Sequence, residues 1–167
     1  MIYLLIGQKG SGKTFIGGLF DEYFNIKFVR VEDWAKKIKR DKAIDDEGYL
    51  RKVFNIIESG IRSTLKEYDS IVFESTGLTD HFDKMLYDLQ SDFKVITISI
   101  IAESKECLER IKSRDQSIHI NVSDEQVNKI NEAVIVKNIP TDFVIINSNK
   151  TESNLKEEIA NIIKKNK

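Results

Sequence analysis

The first 23 residues constrain the fold of this chain more than any other segment. Residues 2–6 form an apolar run of the kind found in buried strands. Residues 7–14 read GQKGSGKT, and apolar side chains then recur at helical spacing through residues 15–23. A short buried strand that enters a helix through a glycine-rich turn is the start of a β–α–β unit, whose strands pair in parallel.

Residues 7–14, called the glycine-rich loop below, fit the pattern G-x-x-x-x-G-K-[ST]. Glycines let the backbone turn tightly and point successive N–H groups inward, and the following helix N-terminus adds its dipole, so the loop forms a nest for phosphate oxygens. In this pattern the lysine reaches the β- and γ-phosphates and the hydroxyl takes one position on Mg²⁺. The sequence therefore predicts that a polyphosphate binds Gly7, Gln8, Lys9, Gly10, Ser11, Gly12, Lys13 and Thr14.

Length and composition predict a single globular domain over residues 1–167. Hydrophobic residues make up 41% and charged residues 32% of the chain, and the net charge of −1 gives no general attraction to nucleic acid or acidic membranes. No leader and no apolar run near membrane-spanning length stands out, so we expect a cytoplasmic protein. The single cysteine, Cys107, cannot form an internal disulfide and is expected to pack in the core.

Strand and helix patterns alternate along the rest of the chain. Strands are predicted at residues 2–6, 26–31, 70–74, 93–101 and 143–146, and the fourth reads as a central strand because it is almost wholly apolar. Helices are predicted at about residues 34–42, 45–65, 79–90, 104–114 and 155–165, with a short one after the capping-box pair Ser123 and Gln126. This order predicts an α/β fold with a doubly wound parallel sheet, in which ligands bind beyond the carboxyl ends of the strands.

Charged side chains follow the predicted strands at that edge. Glu32 and Asp33 follow the second strand, Glu74 ends the third, and Arg110 and Arg114 follow the fourth, four residues apart on one helix. Phosphoryl transfer needs a lysine, a metal, a carboxylate that orients the acceptor, and arginines over the moving phosphoryl group. The chain thus has a candidate for each of these parts.

The segments GQKGSGKT, VEDW, IVFESTG and CLERIKSRD, taken together and in this order, resemble the small P-loop kinases. This group includes adenylate, shikimate and gluconate kinases and the polynucleotide-kinase and zeta-toxin relatives. The resemblance extends over about residues 1–150. It implies a five-stranded sheet in the order 2-3-1-4-5 and a short mobile lid at residues 115–122.

The resemblance also implies roles for single residues. Asp33 matches the acid that lies near the acceptor or the metal, and Arg110 and Arg114 match the lid arginines. Glu74 stands at the acid of the Walker B type, where aspartate is commoner. The acceptor-binding signatures of the group are absent, so the resemblance does not identify the acceptor.

These observations favour an ATP-dependent, Mg²⁺-assisted phosphotransferase. Thr14 and, through water, Glu74 would hold Mg²⁺, Asp33 would orient or deprotonate the acceptor, and Arg114, with Arg110 behind it, would close over the transferring group. The expected acceptor is a nucleotide, nucleoside or other small metabolite, ahead of a nucleic-acid 5′ end. No membrane partner is expected.

Two other functions remain open from the sequence alone. A nucleotide-binding sensor or interaction domain would use the same loop without turnover. A GTPase switch would explain ESTG at the end of the third strand and NKTE at residues 149–152, although both have glutamate where aspartate is expected.

Single residues also have simpler explanations. Glu32, and less readily Asp33, would favour a helix N-terminus. Arg110 and Arg114 would pair with neighbouring glutamates, and the basic residues at 36–42 would form a solvated face. His81 and His119 lack a second metal ligand at suitable spacing, so no zinc site is expected.

Overall fold

Five parallel strands form one sheet in the computed structural model of the chain, which describes residues 1–38, 46–113 and 123–167. The spatial order is β2-β3-β1-β4-β5, so the predicted doubly wound sheet of order 2-3-1-4-5 is confirmed. The strands are β1 (Ile2–Gly7), β2 (Lys27–Val29), β3 (Ile71–Ser75), β4 (Val95–Ile101) and β5 (Phe143–Ile146).

Helices cover both faces of the sheet. In chain order the described helices are α1 (Lys13–Phe24), α2 (Val31–Ala35), α3 (Glu47–Thr64), α4 (Asp80–Asp92), α5 (Ser104–Ser113), α6 (Asp124–Lys137) and α7 (Glu152–Asn166). Alternate residues of β1 point to opposite faces, where one cluster contains apolar side chains of α1 and α7 and the other those of α3 and α4. Among these helices, none combines the length and apolar character that a bilayer crossing requires.

Polar caps define several helix starts. The Asp46 carboxylate accepts a hydrogen bond from the backbone N–H of Tyr49 at the start of α3. The predicted capping box of Ser123 and Gln126 opens α6, which has 14 residues and is therefore longer than expected. A second capping box, of Thr151 and Asn154, begins α7 three residues before the predicted start at 155.

The segment after β2 differs most from the sequence prediction. The strand covers only Lys27–Val29, because the chain turns at Arg30 into α2, and the helix predicted at 34–42 begins already at Val31. Residues 39–42 of that prediction lie outside the described residues.

β4 is the longest strand and lies in the interior of the sheet, between β1 and β5. The prediction of a central strand with helices on both faces is therefore confirmed for β4, although Ile101 at its end is 45% exposed. The middle position of the five strands belongs to β1, as the order 2-3-1-4-5 requires, and β1 is buried along its whole length.

Candidate active site

The glycine-rich loop connects β1 to α1 at the carboxyl edge of the sheet and passes very close to two other segments. Gly10 and Gly12 have φ of 82° and 94°, in the left-handed region. A Cβ on Gly10 would lie 2.2 Å from the carbonyl oxygen of Cys107, and one on Gly12 would lie 2.1 Å from Nδ2 of Asn147. Glycine is thus required at both positions, by conformation and by space.

Lys13 places a buried cation inside this loop. Its residue is only 7% exposed, and Nζ donates hydrogen bonds to the carbonyl oxygens of Gly7 at 2.9 Å and Gln8 at 2.7 Å. The ammonium group is therefore held across the start of the loop by the loop's own backbone. A fixed, partly desolvated positive charge of this kind attracts anions more strongly than an exposed lysine does.

A side chain of α6 holds the backbone of the loop at Lys9. Oδ1 of Asn131 accepts from the Lys9 N–H at 2.7 Å, and Nδ2 donates to the Lys9 carbonyl oxygen at 3.1 Å. Asn131 is buried, and both hydrogen bonds are partly buried. Sequence reasoning missed this residue, because the partners are 122 positions apart and an asparagine within a helix carries no signal of its own.

Asn147 and Arg110 fasten the next two residues of the loop. Nδ2 of Asn147, just after β5, donates to the carbonyl oxygen of Ser11 at 2.8 Å. Arg110 of α5 donates from Nη2 to the Asn147 carbonyl oxygen at 2.9 Å and from Nη1, through a longer contact of 3.5 Å, to that of Gly10. Arg110 thus contacts the loop, as its predicted place near the phosphates requires, while its catalytic role stays a prediction.

Thr14 and Glu74 meet at the start of α1. The Thr14 hydroxyl donates to Oε1 of Glu74 at 2.7 Å across a sequence distance of 60 residues. The structure therefore brings together the two residues predicted to hold Mg²⁺. A hydroxyl and a carboxylate are oxygen ligands of the type that Mg²⁺ takes while keeping several waters. No group of three or more His, Cys, Asp or Glu side chains suited to a metal occurs in the described ranges, so the proposed ion would depend on this pair, on water and on the ligand.

A cavity of about 490 Å³ opens over the loop. One wall consists of loop residues with Lys13 and Thr14, and the opposite wall contains Val31, Glu32 and Ile57, with the end of β3 between them. Its volume lies within the range of small-molecule and cofactor sites. The cavity, named the phosphate cavity below, is lined by Lys9, Gly10, Gly12, Lys13, Thr14, Phe15, Val31, Glu32, Ile57, Glu74, Ser75, Thr76 and Arg110.

Of the two acids at the start of α2, Glu32 lines the phosphate cavity and Asp33 is not among its described lining residues. The Asp33 side chain is 53% exposed, and its carboxylate lies 3.6 Å from Nε of Arg30. Both acids lie in the first turn of α2, where negative charge favours the helix. The sequence had favoured Asp33 for function and Glu32 for capping, and the role of Asp33 stays a prediction.

Several predicted residues lie outside the described part of the chain. These are Arg114, the lid at 115–122 with His119, and Lys39, Arg40 and Lys42 of the basic segment. Cys107, by contrast, is fully buried beneath the loop, and burial raises the pKa of its thiol although Arg110 and Lys13 oppose that shift. A neutral, buried thiol fits the expected packing role.

The NKTE segment takes part in the start of α7. Lys150 pairs with Glu158, Thr151 is the N-cap, and Glu152 accepts from Nζ of Lys156 at 3.1 Å. These side chains bind other side chains and the helix end rather than facing the phosphate cavity, whose described lining does not include them.

No protein-family model and no curated protein matches this sequence. Solved structures with the same fold do match over nearly the whole chain. Shikimate kinase from Acinetobacter baumannii, in complex with shikimate, is 17% identical with a TM-score of 0.68, covering 99% of this chain and 94% of that one. APS kinase from Mycobacterium tuberculosis, in complex with AMPPNP and APS, is 8% identical with a TM-score of 0.65, covering 98% and 96%.

Deoxyadenosine kinase from M. mycoides with bound dATP is 14% identical with a TM-score of 0.56, covering 98% of this chain and all of that chain. At such identities the likeness shows the fold, which is that of the small P-loop kinases. The resemblance noted in the sequence is therefore confirmed at the level of structure.

Proposed function

We propose that this protein is an ATP-dependent, Mg²⁺-assisted phosphotransferase that acts on a small molecule. The observation that carries the proposal is the phosphate cavity, which has the glycine-rich loop on one wall and Glu32, Val31 and Ile57 on the other. A triphosphate bound along the loop would leave the opposite wall to a second molecule. A domain that only binds a nucleotide has no need of that second wall.

The loop would bind the triphosphate of the donor. Lys13 provides a buried cation next to the expected position of the phosphates. Its ammonium group would donate charge-assisted hydrogen bonds to phosphate oxygens, which are stronger than hydrogen bonds between neutral groups. The loop is already held in shape by hydrogen bonds with Asn131, Asn147 and Arg110. Its backbone therefore needs little rearrangement when the triphosphate binds. A rigid cradle suits a reaction in which positioning and charge neutralisation supply most of the acceleration.

Thr14 and Glu74 are the residues that would hold Mg²⁺. Their oxygens are 2.7 Å apart and border the phosphate cavity, and both are hard ligands. When bound, the ion would neutralise charge that develops on the phosphate oxygens. The Thr14 oxygen has lone pairs left for the ion while its O–H donates to Glu74, so this hydrogen bond need not break and Glu74 would act through water.

A carboxylate at the start of α2 would orient the acceptor hydroxyl. The lining of the cavity favours Glu32 for this role, and Asp33 remains the prediction from the sequence. Arg110, together with Arg114, would stabilise the charge on the transferring group. The cation of Arg110 already lies at the edge of the cavity, beside the backbone of the loop.

The acceptor we propose is a nucleotide, a nucleoside or another small metabolite. Three of the similar structures are described with small-molecule ligands, which are shikimate in one, AMPPNP and APS in another, and dATP in the third. A nucleic-acid 5′ end is the weaker choice, because a net charge of −1 provides no general attraction to a polyanion.

The experiment is a screen of nucleosides, phosphorylated metabolites and 5′-hydroxyl oligonucleotides with ATP and Mg²⁺, in which ADP formation and the phosphorylated product are both measured. We expect turnover with at least one small acceptor, loss of turnover when Mg²⁺ is chelated, and none with Lys13→Ala. Tight ATP binding without turnover on any acceptor would instead support the sensor function. A marked preference for GTP over ATP, with hydrolysis alone, would support a GTPase.

A further inference from the structure

Helix α6 packs over the carboxyl ends of β1 and β4, and polar contacts hold it near its middle and at its C-terminus. Asn131 holds it to the glycine-rich loop through Lys9. At its C-terminus, Nζ of Lys137 donates to the Gly77 carbonyl oxygen at 2.7 Å and to both carboxylate oxygens of Asp83, at 2.8 and 2.9 Å. The helix itself buries only Val127 and Asn131, so these contacts, rather than a broad apolar interface, hold it in place.

A second cavity, of about 200 Å³, lies beneath the end of this helix. It is bounded by the last residues of β1 and β4 and by residues 134–139, and we call it the α6 cavity. Six aliphatic side chains form most of its surface: Ile6, Ile100, Ile101, Val134, Ile135 and Ile139. Its polar groups come from Gln8, Thr76, Ser99 and Asn138, and no charged residue lines it in the part of the chain that the structure describes.

An unsatisfied hydrogen-bonding group lies next to the α6 cavity. Gln8 borders this cavity and is only 5% exposed, and its Nε2, which is enclosed by protein atoms, has no hydrogen-bond partner among the described residues. Buried polar atoms in native proteins are almost always paired, and a rotation of the Gln8 carboxamide toward the cavity would pair it with a molecule bound there. Because Gln8 belongs to the glycine-rich loop, that partner would lie directly beside the phosphate site.

We propose that the α6 cavity binds an uncharged heterocycle the size of a nucleobase. A charged ligand is excluded because the cavity would give it no counter-charge. A polyol is excluded because it has more hydroxyl groups than the four polar groups of the cavity can hydrogen-bond, so some hydroxyls would lose water without replacement. A flat ring has apolar faces for the aliphatic walls and an edge with hydrogen-bond acceptors for the Gln8 carboxamide. The volume equals about seven water molecules at liquid density, which suits one ring system.

The heterocycle belongs to the phosphoryl acceptor. Thr76 borders both the α6 cavity and the phosphate cavity, so a ring in the first can carry a hydroxyl group into the second. This inference rests on the proposed phosphotransferase function and narrows its acceptor to a nucleoside-like molecule. The alternative source of the ring is the base of the donor nucleotide, and the experiment below separates the two.

The test is calorimetric titration of the full chain with adenosine, guanosine, cytidine, uridine and thymidine, and with ribose and deoxyribose as controls without a base. Val134→Phe fills the α6 cavity, whereas Val136→Phe adds the same ring to a residue of the same helix that is 84% exposed and does not line it. Gln8→Leu removes the unpaired donor. ADP is titrated into the two valine variants to follow the donor site.

We expect at least one nucleoside to bind ten times more tightly than its sugar. Val134→Phe should weaken that binding at least tenfold and Val136→Phe less than twofold, and Gln8→Leu should weaken it about fivefold, as expected for one buried hydrogen bond. Nucleoside affinity that is unchanged in both Val134→Phe and Gln8→Leu, or no preference for a nucleoside over its sugar, would overturn the proposal.

ADP affinity separates the two sources of the ring. If the acceptor occupies the α6 cavity, ADP binds Val134→Phe and the parent equally well; a tenfold loss would assign the ring to the donor and overturn the acceptor proposal. Failure of the phosphotransferase function has a different signature. In that case the nucleoside and ADP bind, and no phosphorylated product forms from either.

Discussion

Two neighbouring segments at the carboxyl edge of the sheet are held in very different ways. The glycine-rich loop is fixed by buried hydrogen bonds from Lys13 and Asn147 and by a partly buried pair of hydrogen bonds with Asn131. β2 has only three residues, and the segment after it has a helix of five residues and an exposed ion pair between Arg30 and Asp33 at 3.6 Å. An exposed pair of this kind contributes little to stability.

Under the proposed function, the glycine-rich loop would be the donor side, whose geometry exists before a ligand binds. The segment after β2 would be the acceptor side, and apolar contacts of Val31, Trp34 and Ala35 join it to the core. On the donor side, α5, α6 and the residues after β5 all contribute contacts to the loop. Preorganisation of this kind lowers the free-energy cost of binding a phosphate chain. The phosphate chain is the same in every nucleoside triphosphate. The similar structures hold different small molecules, so the proposed acceptor side is where we expect this chain to differ most from them.

We expect the largest effect from removing the Lys13 cation of the glycine-rich loop. Lys13→Ala deletes charge-assisted hydrogen bonds to the phosphates, and we expect ATP affinity to fall on the order of 10²-fold or more. The fold should remain, because the contacts of Asn131 and Asn147 do not involve this side chain. Calorimetry gives the affinity and thermal unfolding the stability. ATP binding as tight as that of the parent would contradict the assignment of the loop.

The second effect concerns the acceptor side. Glu32→Gln keeps the shape of a side chain that lines the phosphate cavity but removes its charge. If this carboxylate orients or deprotonates the acceptor, turnover should fall about 10²- to 10⁴-fold while ATP affinity stays near that of the parent. Glu22→Gln, at an exposed position of α1, serves as the control. Equal turnover in both variants would remove Glu32 from the mechanism.

The sequence predicted the strand and the helix on either side of the glycine-rich loop well because their determinants are local. An apolar run, a glycine pattern and a helix start lie within 15 residues, and the alternation of strands and helices was enough to predict a parallel sheet. The boundary after β2 was predicted wrongly, since Val31 reads as a strand residue and is in fact the first residue of α2. A β-branched side chain carries a strand propensity that the turn at Arg30 overrides.

The contacts that support the loop could not be predicted. Asn131 and Asn147 reach it over 122 and 136 residues, and nothing in a single sequence tells a buried asparagine from an exposed one. Glu32 and Asp33 show the same limit on a smaller scale. Adjacent acids in one helical turn have the same local pattern, and only the tertiary structure places one of them in the cavity.

A third, smaller effect tests whether the hydrogen bonds of Asn131 are needed to hold the glycine-rich loop in shape. Asn131→Leu keeps the size of the side chain but leaves the Lys9 N–H and carbonyl oxygen without their partner. We expect ADP affinity to fall about tenfold and the free energy of unfolding by about 1–3 kcal/mol. The exchange rate of the Lys9 amide proton should rise. Asn128→Leu, exposed on the same helix, is the matched control, and equal ADP affinity in the two variants would show that the loop holds its shape alone.

The smallest expected effect on stability is at Asp33. Its side chain is half exposed and its pair with Arg30 is long, so Asp33→Asn should change the free energy of unfolding by about 0.5 kcal/mol or less. ATP affinity should not change either. Turnover is the decisive measurement, because the sequence predicts that Asp33 orients the acceptor, while the cavity lining favours Glu32. We expect a smaller loss of turnover for Asp33→Asn than for Glu32→Gln. A loss of 10²-fold or more at unchanged stability would make Asp33 the orienting carboxylate and require α2 to move when the acceptor binds.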